Sequence, residues 1–351
     1  MTPETANPDQ GIRVVAPHID LTEVKGPGVV TFAAFPGGSS LPIAGFGDGT
    51  IATLAPGAAE LSILAKLGAT PIAGTGDVDG SSVLVGTDDG RLVSVSAQGA
   101  EAVIAEENGT WIGQVAVHQG SMTRAYAFDR TVVLLDREGS ELARFENHES
   151  TVVGLAFSPD GSEIACAHYE GISVHGLDGS SQVLDWHGSH TKVTWSPDGK
   201  FIVSALQENE MHCWRMPEGK GMRMSGYPSK IRALSWTADS QYLAASGADV
   251  VTSWNFSGKG PAGKAPTEFG YVYNGLVTCV AAHPASHEVA GGYSDGTVLV
   301  GSIEKETASI ARPGGGAKVS ALNWAPDGSS LVAGTETGEL ALCLINPAPI
   351  G

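Results

Sequence analysis

Residues 151–179 read TVVGLAFSPDGSEIACAHYEGISVHGLDG, and residues 190–214 read HTKVTWSPDGKFIVSALQENEMHCW. Each copy has a short apolar run that ends on Phe157 or Trp195 and is followed by a Ser-Pro-Asp-Gly turn. Proline sets φ at the first central turn position, aspartate bonds the local backbone, and glycine accepts the positive φ that follows. The flanking runs are too short for helices and partly alternate, so they predict antiparallel strands in a repeated unit.

Units of this kind can be followed along nearly the whole chain. Their spacing is about 40 residues, which is what four short antiparallel strands and their turns require. One step is longer because it contains residues 256–269, a segment rich in glycine, proline and lysine that we predict to be a surface loop. The predicted units start near Val29, Thr70, Trp111, Thr151, Thr191, Lys230, Leu276 and Lys318.

Composition limits the classes of partner. The 351 residues include 20 Lys and Arg against 38 Asp and Glu, for a formal net charge of −18. Such a balance disfavours nucleic acid and anionic membranes as the main partner. Hydrophobic residues make up 42% of the chain, enough for a sizeable core, and the 47 glycines suit a fold with many turns.

The start of the sequence and the cysteines bear on location. The first ten residues, MTPETANPDQ, have neither the basic nor the apolar region of a signal peptide, and no apolar stretch is long enough to span a membrane. Cys166, Cys213, Cys279 and Cys343 are far apart in sequence and lie inside predicted strands. We therefore expect buried free thiols and a cytoplasmic protein.

The set of motifs resembles WD40 repeats. It comprises the Ser-Pro-Asp-Gly turns, the acidic-Gly turns and strands such as MHCWRMPEG (211–219) and VVTSWNFSG (250–258). The usual Trp-Asp pair is altered, for example to Trp214-Arg215, and the usual Gly-His pair is reduced to the regions of His148 and residues 187–190. The resemblance implies a divergent, bacterial-type WD40 protein with one all-β propeller, residues 11–351, and an incomplete buried Asp–His–Ser/Thr network.

The number of blades and their closure are expectations from the same resemblance. Eight four-stranded antiparallel blades are favoured, with seven as the alternative if one weak unit, most plainly the one near Thr70, is misread. The last unit has only three strands, so we expect residues 12–16, within a closing segment 11–20, to supply its fourth strand. This closure would remove two exposed sheet edges. Residues 1–10 are predicted to be a disordered tail.

Catalytic and metal sites are weakly indicated. His187 and His190, together with His148, Cys166 or His168, are weak zinc candidates, but their spacing matches no standard site, so we expect no metal and no cofactor. No G-x-S-x-G or GxxxxGK[ST] motif is present. Acidic residues before glycine recur at one place in the repeat, which indicates turn chemistry rather than catalysis: Asp48, Asp89, Glu170 and Asp295. A propeller enzyme is the last alternative, and we predict no enzyme activity.

The most distinctive stretch is residues 207–236, where methionines, Tyr227 and five basic residues gather in an acidic chain. A solvated edge explains it, but methionine, tyrosine and arginine are also enriched at interface centres. We expect a non-catalytic scaffold that binds a protein or peptide on its loop-bearing face. A second possibility, from the resemblance of this stretch to WD40 proteins found beside CobW-type GTPases, is an accessory role in zinc handling. The predicted partner-binding residues are Trp111, His148, Glu149, His187, His190, Tyr227, Lys230, Arg232, Tyr273 and Asn274.

Overall fold

The structure, a computed structural model, describes residues 18–346 and contains thirty β-strands. Within that part of the chain there is no helix, and hence none that could cross a membrane. The predicted all-β class is confirmed. The predicted tail, residues 1–10, and residues 12–16 of the predicted closing strand lie outside the described residues.

The strands of the described residues form seven sheets, and six of these sheets have four antiparallel strands each. The first three along the chain are β2 (Val30–Ala34), β3 (Ile43–Phe46), β4 (Thr50–Thr53) and β5 (Ser62–Lys66); β6 (Pro71–Gly76), β7 (Ser82–Thr87), β8 (Arg91–Ser96) and β9 (Glu101–Glu106); and β10 (Gln114–His118), β11 (Thr123–Phe128), β12 (Thr131–Leu135) and β13 (Glu141–Phe145). The last three are β20 (Leu234–Trp236), β21 (Tyr242–Ala245), β22 (Val251–Asn255) and β23 (Thr267–Phe269); β24 (Val277–Ala282), β25 (Glu288–Tyr293), β26 (Val298–Ser302) and β27 (Thr307–Arg312); and β28 (Val319–Trp324), β29 (Ser330–Thr335) and β30 (Glu339–Ile345) with β1 (Ile19–Lys25).

The remaining sheet has six strands and changes the count. It contains β14 (Gly154–Phe157), β15 (Glu163–Gly176), β16 (Ser181–Trp195), β17 (Phe201–Leu206), β18 (Met211–Arg215) and β19 (Lys220–Met224). The described residues therefore form seven hydrogen-bonded sheets, the alternative number, and not the favoured eight. The reason is β16, whose first part pairs with β15 and whose second part pairs with β17, so two predicted repeat units share one sheet.

Strand β15 reverses direction within its own length. His168 Nε2 lies 2.8 Å from Ser173 Oγ, although an extended strand would separate residues five apart by about 16 Å. The reversal occurs at Glu170 and Gly171, both of which have positive φ. The six-stranded sheet thus holds eight strand segments, four from each of two units.

The sheets form a closed ring. Strands contact one another around the ring in the order β2, β6, β10, β14, β16, β20, β24 and β28, and β28 returns to β2. Strand β1 pairs with β30 along its whole length, so the expected closure by an N-terminal strand is confirmed. The pairing strand begins at Ile19, and the predicted segment 11–20 overlaps it only at residues 19 and 20.

Two details show why this sequence adopts these elements. In the turn at 158–161, Gly161 N donates to Ser158 O over 2.9 Å and Ser158 Oγ donates to Asp160 Oδ1 over 2.7 Å, as the motif predicts. In the acidic-Gly turns the carboxylate caps the next strand, as where Asp48 accepts bonds from the Thr50 amide and hydroxyl. Apolar side chains then pack between adjacent sheets in eight clusters, which supply the core.

Candidate functional site

One face of the ring carries the loop that precedes each first strand and the turn that follows each second strand. Backbone hydrogen bonds tie these segments together: Asp88 N donates to Thr70 O over 3.0 Å, and Ser294 N donates to Leu276 O over 2.8 Å. Glu336 N makes the same contact with Lys318 O, at 2.9 Å. We call this surface the loop face, and its repeated bonding makes it a rigid platform.

A central cavity of about 600 Å³ opens at this face. The cavity is lined by β2, β16, β24 and β28 and by residues 230–233 just before β20, which places it on the ring axis. Four basic side chains line the cavity, and we call them the channel cations: Lys192, Lys230, Arg232 and Lys318. The one carboxylate in the same lining is Glu336.

The channel cations are incompletely neutralised. Lys318 forms an ion pair with Glu336, whereas no carboxylate of residues 18–346 is paired with Lys192, Lys230 or Arg232. Lys192 is exposed to the cavity, but the protein around the cavity partly desolvates its ammonium group and lowers the pKa of that group. Because the chain as a whole carries −18, the cavity is a local concentration of positive charge in an acidic molecule.

A cysteine lies among these cations. Burial raises the pKa of the Cys279 thiol to about 11, an effect opposed by its contact with Thr278 and by the nearby charges of Lys318, Lys192 and Arg232. Its Sγ is 3.5 Å from Val319 O. The thiol therefore stays protonated at neutral pH and gives the cavity wall a neutral, weakly polar spot.

Three of the predicted partner-binding residues have structural roles instead. His148 and His190 are buried, and His190 contacts Ser204 Oγ at 2.7 Å and Trp186 O at 2.9 Å. The Tyr227 hydroxyl accepts a hydrogen bond from Trp254 Nε1 at 2.7 Å and lies 2.8 Å from Thr252 Oγ1. Their polar atoms bond the loops to the strands and are not offered to a partner.

The other predicted residues lie on accessible surface but not in one place. Lys230 and Arg232 meet at the central cavity. Tyr273 and Asn274 are exposed in the loop before β24, and Trp111 lines a separate groove of about 360 Å³ before β10.

Glu149 and His187 complete the exposed set. Glu149 is exposed in the loop before β14. His187 is exposed and its Nδ1 lies 2.9 Å from a carboxylate oxygen of Glu170.

Sequence reasoning missed Lys192 and Lys318 as members of the cavity lining. The available signal is that three units carry a basic residue at or next to their predicted start, at Lys192, Lys230 and Lys318. Lys230 and Arg232 lie just before β20, so the alternation of side chains along a strand does not predict that they meet at the cavity.

The weak metal candidates His187 and His190 are not brought together with a third ligand. Within residues 18–346, the three potential ligands that converge are His148, Cys166 and His175, whose ligand atoms lie within 4.8 Å of one another. The sequence around His148 does not reveal this group, because the closest ring partner of His148, His175, lies 27 residues away in sequence.

Comparisons with known proteins agree with this architecture. The family model "WD domain, G-beta repeat" matches residues 139–175. A Dictyostelium discoideum protein, "Serine-threonine kinase receptor-associated protein", is 26% identical over 73% of this chain and 91% of its own length. A Physarum polycephalum "66 kDa stress protein" is 30% identical over 54% of this chain, and the alignment spans only 34% of that protein.

Solved structures extend the similarity to nearly the whole chain. The C-terminal WD40 domain of Sif2 superposes with a TM-score of 0.72 at 15% identity, over 93% of this chain and 99% of that one. A chain in the crystal structure of the mitotic checkpoint complex gives a TM-score of 0.65 at 16% identity, over 98% and 99%. With its closed ring of sheets and these structural neighbours, the chain has the fold of a WD40 β-propeller, and residues 139–175 match a WD40 repeat.

Proposed function

We propose that this propeller is a non-catalytic scaffold that binds an acidic segment of a partner protein at the central cavity of the loop face. WD40 propellers typically serve as platforms for other proteins, and the relatives described above are consistent with that role. The observation that carries the proposal is the group of channel cations, three of which have no carboxylate partner in the described chain.

The size of the cavity favours an extended segment. A volume of about 600 Å³ accommodates a few side chains and is far too small for a folded domain. Carboxylates inserted there would meet the partly desolvated ammonium of Lys192 as well as Lys230 and Arg232. Charge pairs in such a setting are screened less than pairs on open surface, so they contribute more to recognition.

The acidic remainder of the molecule adds selectivity. With a net charge of −18, most of the surface repels an acidic partner, and only the cavity attracts it. The exposed rings of Tyr271 and Tyr273 stand beside this face in the loop before β24 and offer apolar anchors for residues flanking the acidic segment.

The test is a binding titration with a fluorescein-labelled oligoglutamate peptide, followed by anisotropy. We expect the double variant Lys230→Gln, Arg232→Gln to lose about tenfold or more in affinity, since two of the charges facing the ligand are removed. The matched control is Lys259→Gln, Lys305→Gln, which makes the same charge change at exposed residues in loops after third strands, on the opposite face.

Two outcomes would contradict the proposal. Equal loss of affinity in the cavity variant and in the matched control would mean that binding follows net charge alone. Failure of the unmodified protein to bind the acidic peptide more tightly than a neutral peptide would remove the cavity from consideration. Thermal unfolding of each variant would show that both remain folded.

The other expectations remain proposals. A cytoplasmic location is supported by the cysteines, all four of which are free thiols. The alternative role in zinc handling beside a CobW-type GTPase stays a prediction, because none of the relatives and structures named above carries a description of that kind.

A further inference from the structure

Three potential metal ligands converge beneath the loop that enters β14. His148 lies in that loop, and Cys166 and His175 lie on the two arms of β15. His148 Nε2 and His175 Nε2 are 3.0 Å apart, and Cys166 Sγ is within 4.8 Å of both. Cys166 is fully buried and His148 nearly so, while His175 is partly exposed, which leaves one approach from solvent.

The outer nitrogens of both rings are already held by other groups. His148 Nδ1 donates to Arg130 O over 2.9 Å, so in the neutral ring Nε2 carries a lone pair. His175 Nδ1 lies 3.0 Å from Ser181 Oγ, and its ring stacks on Phe145 with centroids 4.2 Å apart. Histidines that bind metals are oriented in this way, through a hydrogen bond from the nitrogen that does not bind.

The following repeat unit provides an internal comparison. Phe157 pairs with Ile164 and Trp195 pairs with Ile202, so Cys166 and Ser204 occupy the same place, two residues farther along the second strand. In the third strand, His175 and Trp214 each lie three residues after a buried apolar residue, Ile172 or Met211. Each unit also has a histidine ahead of the aromatic residue that ends its first strand, but at a different distance, since His148 is nine residues before Phe157 and His190 is five residues before Trp195.

The unit that contains His148 therefore has Cys and His where its neighbour has Ser and Trp. In the neighbour, His190 forms a simple hydrogen bond to Ser204 Oγ at 2.7 Å. Serine and tryptophan are poor ligands, whereas cysteine and histidine are the residues that bind zinc-class ions. The two differences together change a hydrogen-bonded network into a set of three metal ligands.

We propose that His148, Cys166 and His175 form a binding site for a transition-metal ion of the zinc class. Zinc–nitrogen bonds of about 2.0–2.1 Å place two tetrahedral ligands about 3.3 Å apart, so the observed 3.0 Å needs only a small outward shift. The nearby His168 is not a ligand, because its nitrogens contact Tyr169 O and Ser173 Oγ, each at 2.8 Å.

Protonation is compatible with binding. Burial lowers the pKa of both His148 and His175, that of His175 to about 4, so both rings are neutral at pH 7 and can bind an ion. Burial raises the pKa of the Cys166 thiol, so binding must displace the thiol proton, as metals do when they coordinate cysteine. A bound ion would fix the loop before β14 to both arms of β15.

The test uses the full chain without a histidine tag, stripped with a chelator and titrated with cobalt(II). We expect one equivalent to bind, with a thiolate-to-cobalt charge-transfer band in the near ultraviolet and visible bands of a tetrahedral ion, both abolished by added zinc. Cys166→Ser should remove the charge-transfer band, and His175→Trp should weaken cobalt binding about a hundredfold. Both variants restore residues of the neighbouring unit, so they should still fold.

Controls separate this site from adventitious binding. Cys343→Ser removes another buried thiol and His187→Ala removes an exposed imidazole, and neither should alter the band. Zinc should raise the unfolding temperature of the unmodified chain but not that of Cys166→Ser. A folded chain that binds no stoichiometric cobalt, or a charge-transfer band that survives Cys166→Ser, would overturn the site.

Discussion

Polar residues near the start of the repeat units fall into two structural groups. His148, His190 and Tyr227 turn inward and bond the loop to the strands, whereas Lys230 and Arg232 face the central cavity. Residue type does not distinguish the two groups, since all of these residues are polar and all lie close to the start of a repeat unit. The inward residues were therefore predicted as part of a binding surface, and their contacts show that they stabilise the fold.

Tyr227→Phe tests this assignment. The change keeps the ring in its apolar cluster but leaves the half-buried Trp254 Nε1 without its acceptor, while Thr252 keeps its bond to Ala245 O. We expect a loss of about 1–2 kcal/mol in the free energy of unfolding, measured in urea. Tyr273→Phe is the control, because that side chain is 70% exposed and its removal should change little. An unchanged midpoint for Tyr227→Phe would return this residue to the surface set.

At the scale of strands and sheets, local motifs predicted most of what is observed. The Ser-Pro-Asp-Gly and acidic-Gly turns predicted antiparallel hairpins, and strands flank both turns in the structure. The joining of two units in one sheet was not predicted. It occurs because β16 continues as one strand through Gly188, whereas elsewhere the last strand of one unit and the first strand of the next are separate. Nothing in the composition of residues 185–190 distinguishes a break from a continuous strand.

Neighbouring sheets are also joined by a buried ion pair. Asp77, in the loop between β6 and β7, meets Arg124 of β11, with Nε 2.6 Å from Oδ1 and Nη2 3.1 Å from Oδ2. Asp77 is fully buried and Arg124 is 5% exposed. Ser94 Oγ donates a further bond of 2.6 Å to the same carboxylate, and Arg124 also donates to the carbonyl of Arg137. The pair is therefore well satisfied.

Asp77→Ala should destabilise the ring by about 3–5 kcal/mol, because it leaves the Arg124 charge buried without a partner. The measurement is equilibrium unfolding in urea. Asp79→Ala is the control: this exposed carboxylate in the same loop accepts hydrogen bonds from Ser81 and Ser82 but leaves no charge buried when removed, so it should cost about 1–2 kcal/mol. The double variant Asp77→Ala, Arg124→Leu should recover part of the loss. A single variant as stable as the unmodified chain would mean that water replaces the carboxylate.

For the whole molecule, the ring could be predicted and the site could not. The repeat period and turns indicate a propeller, since each unit can bury its faces only against its neighbours. The channel cations come from units as distant as Lys192 and Lys318, and they meet only because the ring closes. No local sequence pattern predicts that these residues lie close together. The His148, Cys166 and His175 group similarly needed the fold of β15 to become visible.

Closure itself gives the last prediction. Leu21 of β1 is the register partner of Cys343 of β30, and both side chains belong to the same apolar cluster. In antiparallel pairs, directly opposed residues have Cα atoms about 4.5–5.5 Å apart, a distance that a disulfide can bridge. Leu21→Cys should therefore form an intramolecular disulfide under oxidising conditions, seen as the loss of two free thiols.

The disulfide should raise the unfolding temperature, because it restricts nearly the whole chain in the unfolded state. The chain-entropy estimate for so long a loop is at most about 6 kcal/mol, and native-state strain will reduce it. Reductant should abolish the gain in unfolding temperature and reveal the small loss of stability caused by removing the Leu21 side chain. Val24→Cys is the control, since its partner Leu340 carries no thiol. A Leu21→Cys chain that remains fully reduced in oxidising buffer, or that crosslinks without any gain over its reduced form, would show that β1 does not hold the ring closed in solution.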